Sequence, residues 1–278
     1  MEPADVDALA CLVADGDAVV LSGAGLSTES GIPDYRGPTG AARPSSPMTY
    51  QTFTGDPLAR RRYWARSHLG WRLMAAAEPN DGHRAVTALQ RSGLLRGVIT
   101  QNVDGLHTRA GTRDVVELHG DLATVVCLDC GTLSPRDELD ARLTEANSDW
   151  STEVLGVHPD GDVDLPEDEL EGFRTVDCLV CGGVLKPHVV FFGETVPADR
   201  VARCFALVEH AGCLLVLGSS LTVMSGYRFV LRAAKLGIPV AVVNGGPTRG
   251  DAQATVRVDA PLGQVLPELA RRAAAQDG

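Results

Sequence analysis

Four of the chain's cysteines stand in two Cys-x-x-Cys pairs, Cys127 with Cys130 and Cys178 with Cys181. Two such pairs supply four thiolates on tight turns, the donor set that tetrahedral zinc prefers. Four protein donors close the coordination sphere, so an ion held here is expected to be structural and not catalytic. Residues 131–177 separate the pairs. That gap is longer than in common zinc fingers and reads as a loop inserted within the module. A redox Cys-x-x-Cys and buried free thiols are the alternatives. Cys11, Cys204 and Cys213 sit in apolar or helical contexts and read as core residues.

Gly23-Ala24-Gly25-Leu26-Ser27-Thr28 directly follows an apolar run, Ala18 to Leu21. Two glycines permit a tight turn and let backbone amides approach a pyrophosphate at a helix start. The third glycine of the dinucleotide fingerprint is replaced by Thr28, and no acid stands about 20 residues on to hold a ribose. A strand–helix turn with no ligand is the plain alternative. His119 closes another apolar run, Val115 to Leu118. An imidazole at a strand end can act as a general base near neutral pH, or simply be a satisfied histidine.

Positioning these residues requires a particular scaffold. Buried strands are expected at Ala18 to Leu21, Val98 to Thr100, Leu214 to Leu217 and Pro239 to Val243, with extended pieces at Val115 to Leu118, Leu122 to Val126 and Val189 to Phe192. Helices are expected over residues 5–15, 60–74, 84–95, 198–211, 227–236 and 262–275. This alternation predicts an α/β fold, a Rossmann-like parallel sheet with helices on both faces, plus a smaller zinc-binding and helical module. Four polar clusters, Ser22–Ser27, Gln101–Asp104, Gly218–Ser220 and Asn244–Gly246, each follow an expected strand. In a parallel sheet they converge on one edge and build a small-molecule site there. The acidic stretch from Asp160 to Glu171 reads as solvated surface. Trp64 and Trp71, seven apart, read as helix-face packing. Of Phe191 and Phe192, adjacent in an extended segment, one packs inward and the other walls a cavity.

The bulk properties narrow the partners. The chain has 278 residues, 44% apolar and 22% charged, with a net charge of −11. That is an ordinary globular composition. The charge repels a phosphate backbone, so no nucleic acid is expected as a partner. The opening MEPADVDALA has neither the basic nor the apolar region of a secretory signal, and no stretch reaches the roughly 18 apolar residues of a spanning helix. A cytoplasmic protein with no membrane partner, and a monomer, is expected.

Several motifs together resemble the sirtuin family. Gly23 through Arg36 is similar to its signature G-A-G-x-S-x-x-S-G-I-P-D-[FY]-R, and Thr100 through His107 to T-Q-N-[IV]-D-x-L-H. Glu117-Leu118-His119-Gly120 resembles the catalytic-histidine motif, and Leu185 through Glu194 the substrate-strand motif. The cysteine pairs match the family's zinc module. The segments around Tyr63-Trp64-Ala65-Arg66, Pro159 to Val163 and Ser225 to Phe229 look like the class II branch, whose activities include lipoamidase and ADP-ribosyl transfer. One departure is His188, where the substrate-strand motif usually has Asp.

The resemblance implies a single catalytic domain over 1–278. Its Rossmann-like part covers about 1–35, 84–126 and 185–278, and its smaller part about 36–83 and 127–184. It implies an NAD-dependent protein-lysine deacylase that consumes NAD and releases nicotinamide and O-acyl-ADP-ribose. His119 is then the general base, assisted by Asn102. NAD contacts are implied for Gly23, Ala24, Gly25, Ser27, Thr28, Asp34, Tyr35, Arg36, Gln101, Asn102, Val103, Asp104, His119, Gly218, Ser219, Ser220, Asn244, Gly245, Gly246 and Leu262. The acyl-lysine protein substrate is implied to lie as a strand along Val190, Phe191, Phe192 and Gly193 and against Leu221. One structural Zn2+ is implied on Cys127, Cys130, Cys178 and Cys181. Tyr63 and Arg66 share the spacing of a pair that selects acidic acyl groups in another branch, which is read as coincidence here. Mono-ADP-ribosyl transfer from the same site and a non-enzymatic NAD- or zinc-dependent binding module are the competing functions.

Overall fold

β1 (Ala18–Ser22) is buried along its whole length, as is Cys213–Leu217 beside it, which is why both read as unbroken apolar runs. A computed structural model of the chain describes residues 3–35, 47–152, 154, 156–158, 162–165, 170 and 172–276. Arg36, most of the loop after Gly31, and Pro159 to Gly161 lie outside the described residues.

In chain order the elements are α1 (Pro3–Val13), β1, α2 (Tyr50–Gly55), α3 (Pro57–Ala76), α4 (Asp81–Arg91), β2 (Leu95–Thr100), α5 (Leu106–Arg109), β3 (Val115–Glu117), β4 (Gly120–Cys127), β5 (Leu133–Pro135), α6 (Arg136–Ala146), β6 (Gly156–Val157), β7 (Val163–Asp164), β8 (Leu185–Val189), α7 (Ala198–Glu209), β9 (Cys213–Leu217), α8 (Met224–Lys235), β10 (Val240–Val243), β11 (Val256–Val258) and α9 (Leu262–Gln276). A six-stranded parallel sheet runs in the order β11-β10-β9-β1-β2-β3. From its centre the chain winds outward in both directions, so the switch point lies between β1 and β9. One hydrophobic core covers one face with residues of α1, α4 and α9, and another, which includes Phe229, covers the opposite face with residues of α7 and α8.

A second, antiparallel sheet, β5-β4-β8, belongs to the smaller part. The core of the smaller part gathers Phe53, Tyr63, Trp64, Phe173 and Phe191 with aliphatic partners. The Asp160 to Glu171 stretch does not behave as solvated surface where it is described. Val163, Leu165 and Leu170 are buried in this core, and Asp162 pairs with Arg66 on α3 at 3.0 Å. Its apolar residues, interleaved with acids, were the overlooked signal.

Helix α3 starts three residues earlier than the periodicity predicts. Asp56 accepts the Leu58 and Ala59 amides at 2.9 and 3.1 Å, and Pro57 takes the first helical position. In α4, Asn80 caps the helix by accepting the His83 amide at 3.2 Å.

Candidate active site

The four polar clusters do meet at the carboxyl edge of the parallel strands, around a cavity of about 890 Å³. That volume is at the upper end of the roughly 300–1,000 Å³ typical of ligand pockets. The loops after β1 and β9 are laced together across the switch point. The Gly23 amide donates to Leu217 O at 2.9 Å, and the Gly25 amide to Gly218 O at 2.8 Å. The glycines are required for this approach and not for a left-handed turn, since Gly23 is extended. A Cβ on Gly23 would stand 2.7 Å from Ser219 Cβ, and one on Gly25 2.9 Å from Gly218 Cα.

Behind this seam the side chains form one network. Asn102 Nδ2 donates to Gly23 O at 3.1 Å and to Ser27 Oγ at 3.0 Å. Ser27 donates in turn to the Asp104 carboxylate at 2.7 Å, which also accepts the Leu106 amide at 2.9 Å. Burial pushes the Asp104 carboxyl above its ordinary range, against those two donors. Gln101 Nε2 bridges to Ser219 Oγ at 2.7 Å.

His119 stands in the tight link between β3 and β4. Its Nδ1 lies 2.9 Å from Gln101 O, and its Nε2 lies 2.8 Å from Ser225 Oγ. A carbonyl only accepts, so Nδ1 bears the proton and the lone pair sits on Nε2. Desolvation lowers the imidazole below its ordinary value, with Arg200 and Arg228 adding repulsion, so the ring is neutral near pH 7 and ready to take a proton. Gly120 turns the chain at φ 89°, and a Cβ there would lie 2.0 Å from His188 O, so only glycine fits after the histidine. Glu117, two residues before it, is pushed up to about 7, first by burial and then by Asp121.

The segment expected as a strand through Phe192 stops earlier. β8 ends at Val189, and Val190 donates its amide to His119 O at 2.7 Å. The Phe191 amide turns to the Glu194 carboxylate at 2.8 Å, and Glu194 N closes a turn on Phe191 O at 3.0 Å. Lys186, 2% exposed, pairs with Glu194 at 3.1 Å beneath this turn. Phe191 packs inward against Phe53 and Tyr63, whereas Phe192 is exposed at the mouth. Both line the cavity. Leu221 is held in the left-handed region at φ 55°, with its side chain buried.

Nearly every residue expected at the site lines this cavity: Gly23, Ala24, Gly25, Ser27, Thr28, Asp34, Tyr35, Gln101, Asn102, Val103, Asp104, His119, Gly218, Ser219, Ser220, Asn244, Gly245 and Leu262, with Val190 to Gly193 and Leu221. Gly246 is not on its wall; its amide donates to Asp259 at 2.9 Å. Tyr63, Ser225 and Arg228 line it too. The Tyr63 and Arg66 spacing reads as coincidence in the sequence, yet Tyr63 is on the wall; Ser225 and Arg228 carry no sequence signal as site residues. Arg66 is turned away onto Asp162 by both carboxylate oxygens, at 3.0 and 3.2 Å. Trp64 and Trp71 pack as expected, flanking the buried Arg136 guanidinium at 5.3 and 5.5 Å.

The four motif cysteines gather in the smaller part. Cys127 and Cys181 Sγ are 3.5 Å apart, Cys130 and Cys178 Sγ 3.8 Å, and all four lie within 4.8 Å of one another. Zinc–sulfur bonds of about 2.3 Å in a tetrahedron put the sulfurs about 3.8 Å apart, so the cluster fits a structural zinc ion. Each pair sits on a turn closed by a glycine amide, Gly131 to Cys127 O at 3.0 Å and Gly182 to Cys178 O at 2.9 Å.

The family model described as "Sir2 family" matches residues 23–225. The chain belongs to the Sir2 family. A protein of Streptomyces coelicolor named NAD-dependent protein deacetylase 1 is 62% identical over 257 residues, 92% of this chain and 86% of that protein. The human NAD-dependent protein lipoamidase sirtuin-4, mitochondrial, is 45% identical over 252 residues, 90% of this chain and 80% of that protein. Among solved structures, one described as "Structural Basis for the Mechanism and Regulation of Sir2 Enzymes" superposes with a TM-score of 0.79 at 32% identity, covering 99% of this chain and 100% of the other. A second, "Sir2-p53 peptide-NAD+", gives 0.75 at 30% identity, covering 100% and 99%. The sirtuin resemblance of the motifs is thus borne out over the whole fold, and the sirtuin-4 likeness agrees with the class II segments. The parallel sheet with a smaller part, and the four-cysteine site, accord with the family.

Proposed function

We propose that this Sir2 protein is an NAD-dependent protein-lysine deacylase that works through His119. The observation that carries the reading is the placement of that one imidazole. His119 lines the cavity that also receives the loops after β1, β2, β9 and β10 and the turn after β8, and its Nε2 meets Ser225, another lining residue. A relative named a deacetylase and a solved Sir2 complex with NAD+ and a peptide support the same substrates here.

NAD supplies an anomeric ribose carbon bearing nicotinamide as a leaving group. The loops laced at Gly23, Gly25 and Gly218 hold the phosphates and adenosine half, with Asn244, Gly245 and Leu262 on the far wall. Asn102, fixed by Gly23 O and Ser27, orients the ribose beside Gln101 and Asp104. The substrate chain adds along Val190 to Gly193 and the segment from Leu221. Its acyl oxygen bonds to the anomeric carbon as the nicotinamide bond breaks. His119 Nε2 then takes the ribose hydroxyl proton, and that oxygen attacks the acyl carbon; the bond from that carbon to the lysine nitrogen breaks as one water enters, freeing the lysine amine and leaving O-acyl-ADP-ribose. Zinc on the cysteines holds the smaller part in shape and takes no part in these steps.

Among the described residues no helix is long and apolar enough to cross a membrane. A single catalytic domain that acts in the cytoplasm as a monomer on acylated proteins is the accompanying proposal. The deciding experiment incubates purified protein with NAD and a panel of acyl-lysine peptides and follows nicotinamide and O-acyl-ADP-ribose by mass spectrometry. Acyl-dependent turnover that falls roughly 10²–10⁴-fold in His119→Ala is expected. Protein-bound ADP-ribose without the O-acyl product would instead make the protein an ADP-ribosyltransferase.

A further inference from the structure

His119 is fixed at both ring nitrogens, and the second partner comes from a helix 106 residues away. Ser225, 9% exposed, opens α8 and lies 2.8 Å from Nε2. With the proton on Nδ1, Nε2 has only a lone pair to offer, so Ser225 is the donor. The next residue is an independent observation at the same place. A Cβ on Gly226 would fall 2.4 Å from Gln101 Oε1. The Gln101 amide thus rests on bare backbone, with its nitrogen on Ser219 Oγ.

Resting on the deacylase reading, we propose that Ser225 and Gly226 form a positioning pair for this reaction. The serine hydroxyl caps the His119 Nε2 lone pair and fixes the ring at the cavity wall, and the glycine seats the Gln101 amide. A donor on Nε2 favours the neutral ring and opposes its protonation. When the ribose hydroxyl arrives, the Ser225 hydroxyl rotates off Nε2 and keeps its own proton, so a single rotor uncovers the base. Arg200 from α7 and Arg228 from α8 are the charges that act on the ring; Asp104 after β2 and Glu194 after β8 line the same cavity, and Glu117 stands two residues before the histidine on β3.

The test begins without cofactor. Ring-labelled histidine in the free protein is titrated by NMR, with the His119 signal assigned by its loss in His119→Ala. Removing one neutral hydrogen bond, worth about 0.5–1.5 kcal/mol, is expected to raise the His119 pKa in Ser225→Ala by about 0.4–1 unit. Ser225→Thr keeps the donor and restores the wild-type value, and Ser225→Cys, a weaker donor, falls between; these two also serve if the alanine variant folds poorly. The acid limb of the deacylation rate moves to higher pH by the same amount. Gly226→Ala displaces the Gln101 amide, so it raises the KM for NAD several-fold and leaves the His119 titration in place. An unchanged His119 titration in Ser225→Ala overturns the proposal, and so does a wild-type KM in Gly226→Ala. Wild-type protein that releases no nicotinamide defeats the deacylase reading instead, while the titration still reports on the serine.

Discussion

β1 and β9 bury only aliphatic residues, a cysteine and a serine, whereas the core of the smaller part is aromatic and crossed by charge. In that smaller part Arg136 is 1% exposed, flanked by Trp64 and Trp71 and 3.6 Å from Asp140, and Asp140 also meets His68 at 2.6 Å. Lys186 with Glu194 and Arg66 with Asp162 are further ionic staples. Six parallel strands covered on both faces hold together by area removed from water. The smaller part has a hydrophobic core of its own, but charged pairs cross it and the four-cysteine cluster adjoins it, so metal and paired charges add to the constraint there. The two parts are therefore expected to fail under different insults.

Chelation is the largest. Cys178→Ser, or a strong zinc chelator, is expected to abolish zinc retention by elemental analysis and, with it, acyl transfer. Limited proteolysis should then cut first within residues 127–184, while the six-stranded sheet stays protected. A chelated protein that keeps its melting temperature and activity would falsify the structural role.

Acid is the matching insult to the large part. His83 and His107 lie with ring centroids 5.1 Å apart between α4 and α5, both buried, and burial pulls their pKa values down to about 4 and about 3. Their unfolded values are near 6.5, so the unfolded chain binds protons first as pH falls. The stability tied to their neutral rings is complete above about pH 7 and drains away below it, on the order of 2 kcal/mol per imidazole by pH 5. Urea unfolding at pH 7 and pH 5 measures this, and His107→Asn is expected to flatten the slope. Equal midpoints in the wild-type protein would sink the idea.

The ionic staple nearest the site should give a smaller effect with a kinetic signature. Lys186→Met leaves Glu194 without its cation under the turn after β8. A cost of roughly 2–3 kcal/mol is expected, reduced from that of a fully buried pair because Glu194 is partly exposed. The KM for acyl-peptide should rise while the KM for NAD holds. Lys186→Met with Glu194→Gln should recover part of the stability; no recovery would show that the pair is not coupled.

Arg66→Ala should be the mildest, about 1 kcal/mol or less for a partly exposed pair. Since Arg66 faces Asp162, the ratio of acetyl to succinyl turnover should not change. A shift of that ratio would show that Arg66 reaches the acyl group after all.

What local residues settle was legible without coordinates. A buried parallel strand must be apolar throughout, so β1 and β9 announced themselves, and each cysteine pair needs only its own turn to present two thiolates. The convergence of the strand-end loops followed from the sheet being parallel. Three features depended instead on distant groups. β8 stops at Val189 because Glu194 takes the Phe191 amide and Lys186 anchors the turn. The acidic stretch is partly buried because the smaller part supplies a core for Val163 and Leu170. Ser225 reaches His119 only because α8 starts beside the link between β3 and β4. Periodicity and motif spacing report a residue's neighbours along the chain. Which nitrogen of an imidazole is left to accept a proton depends on partners that only folding brings within 3 Å.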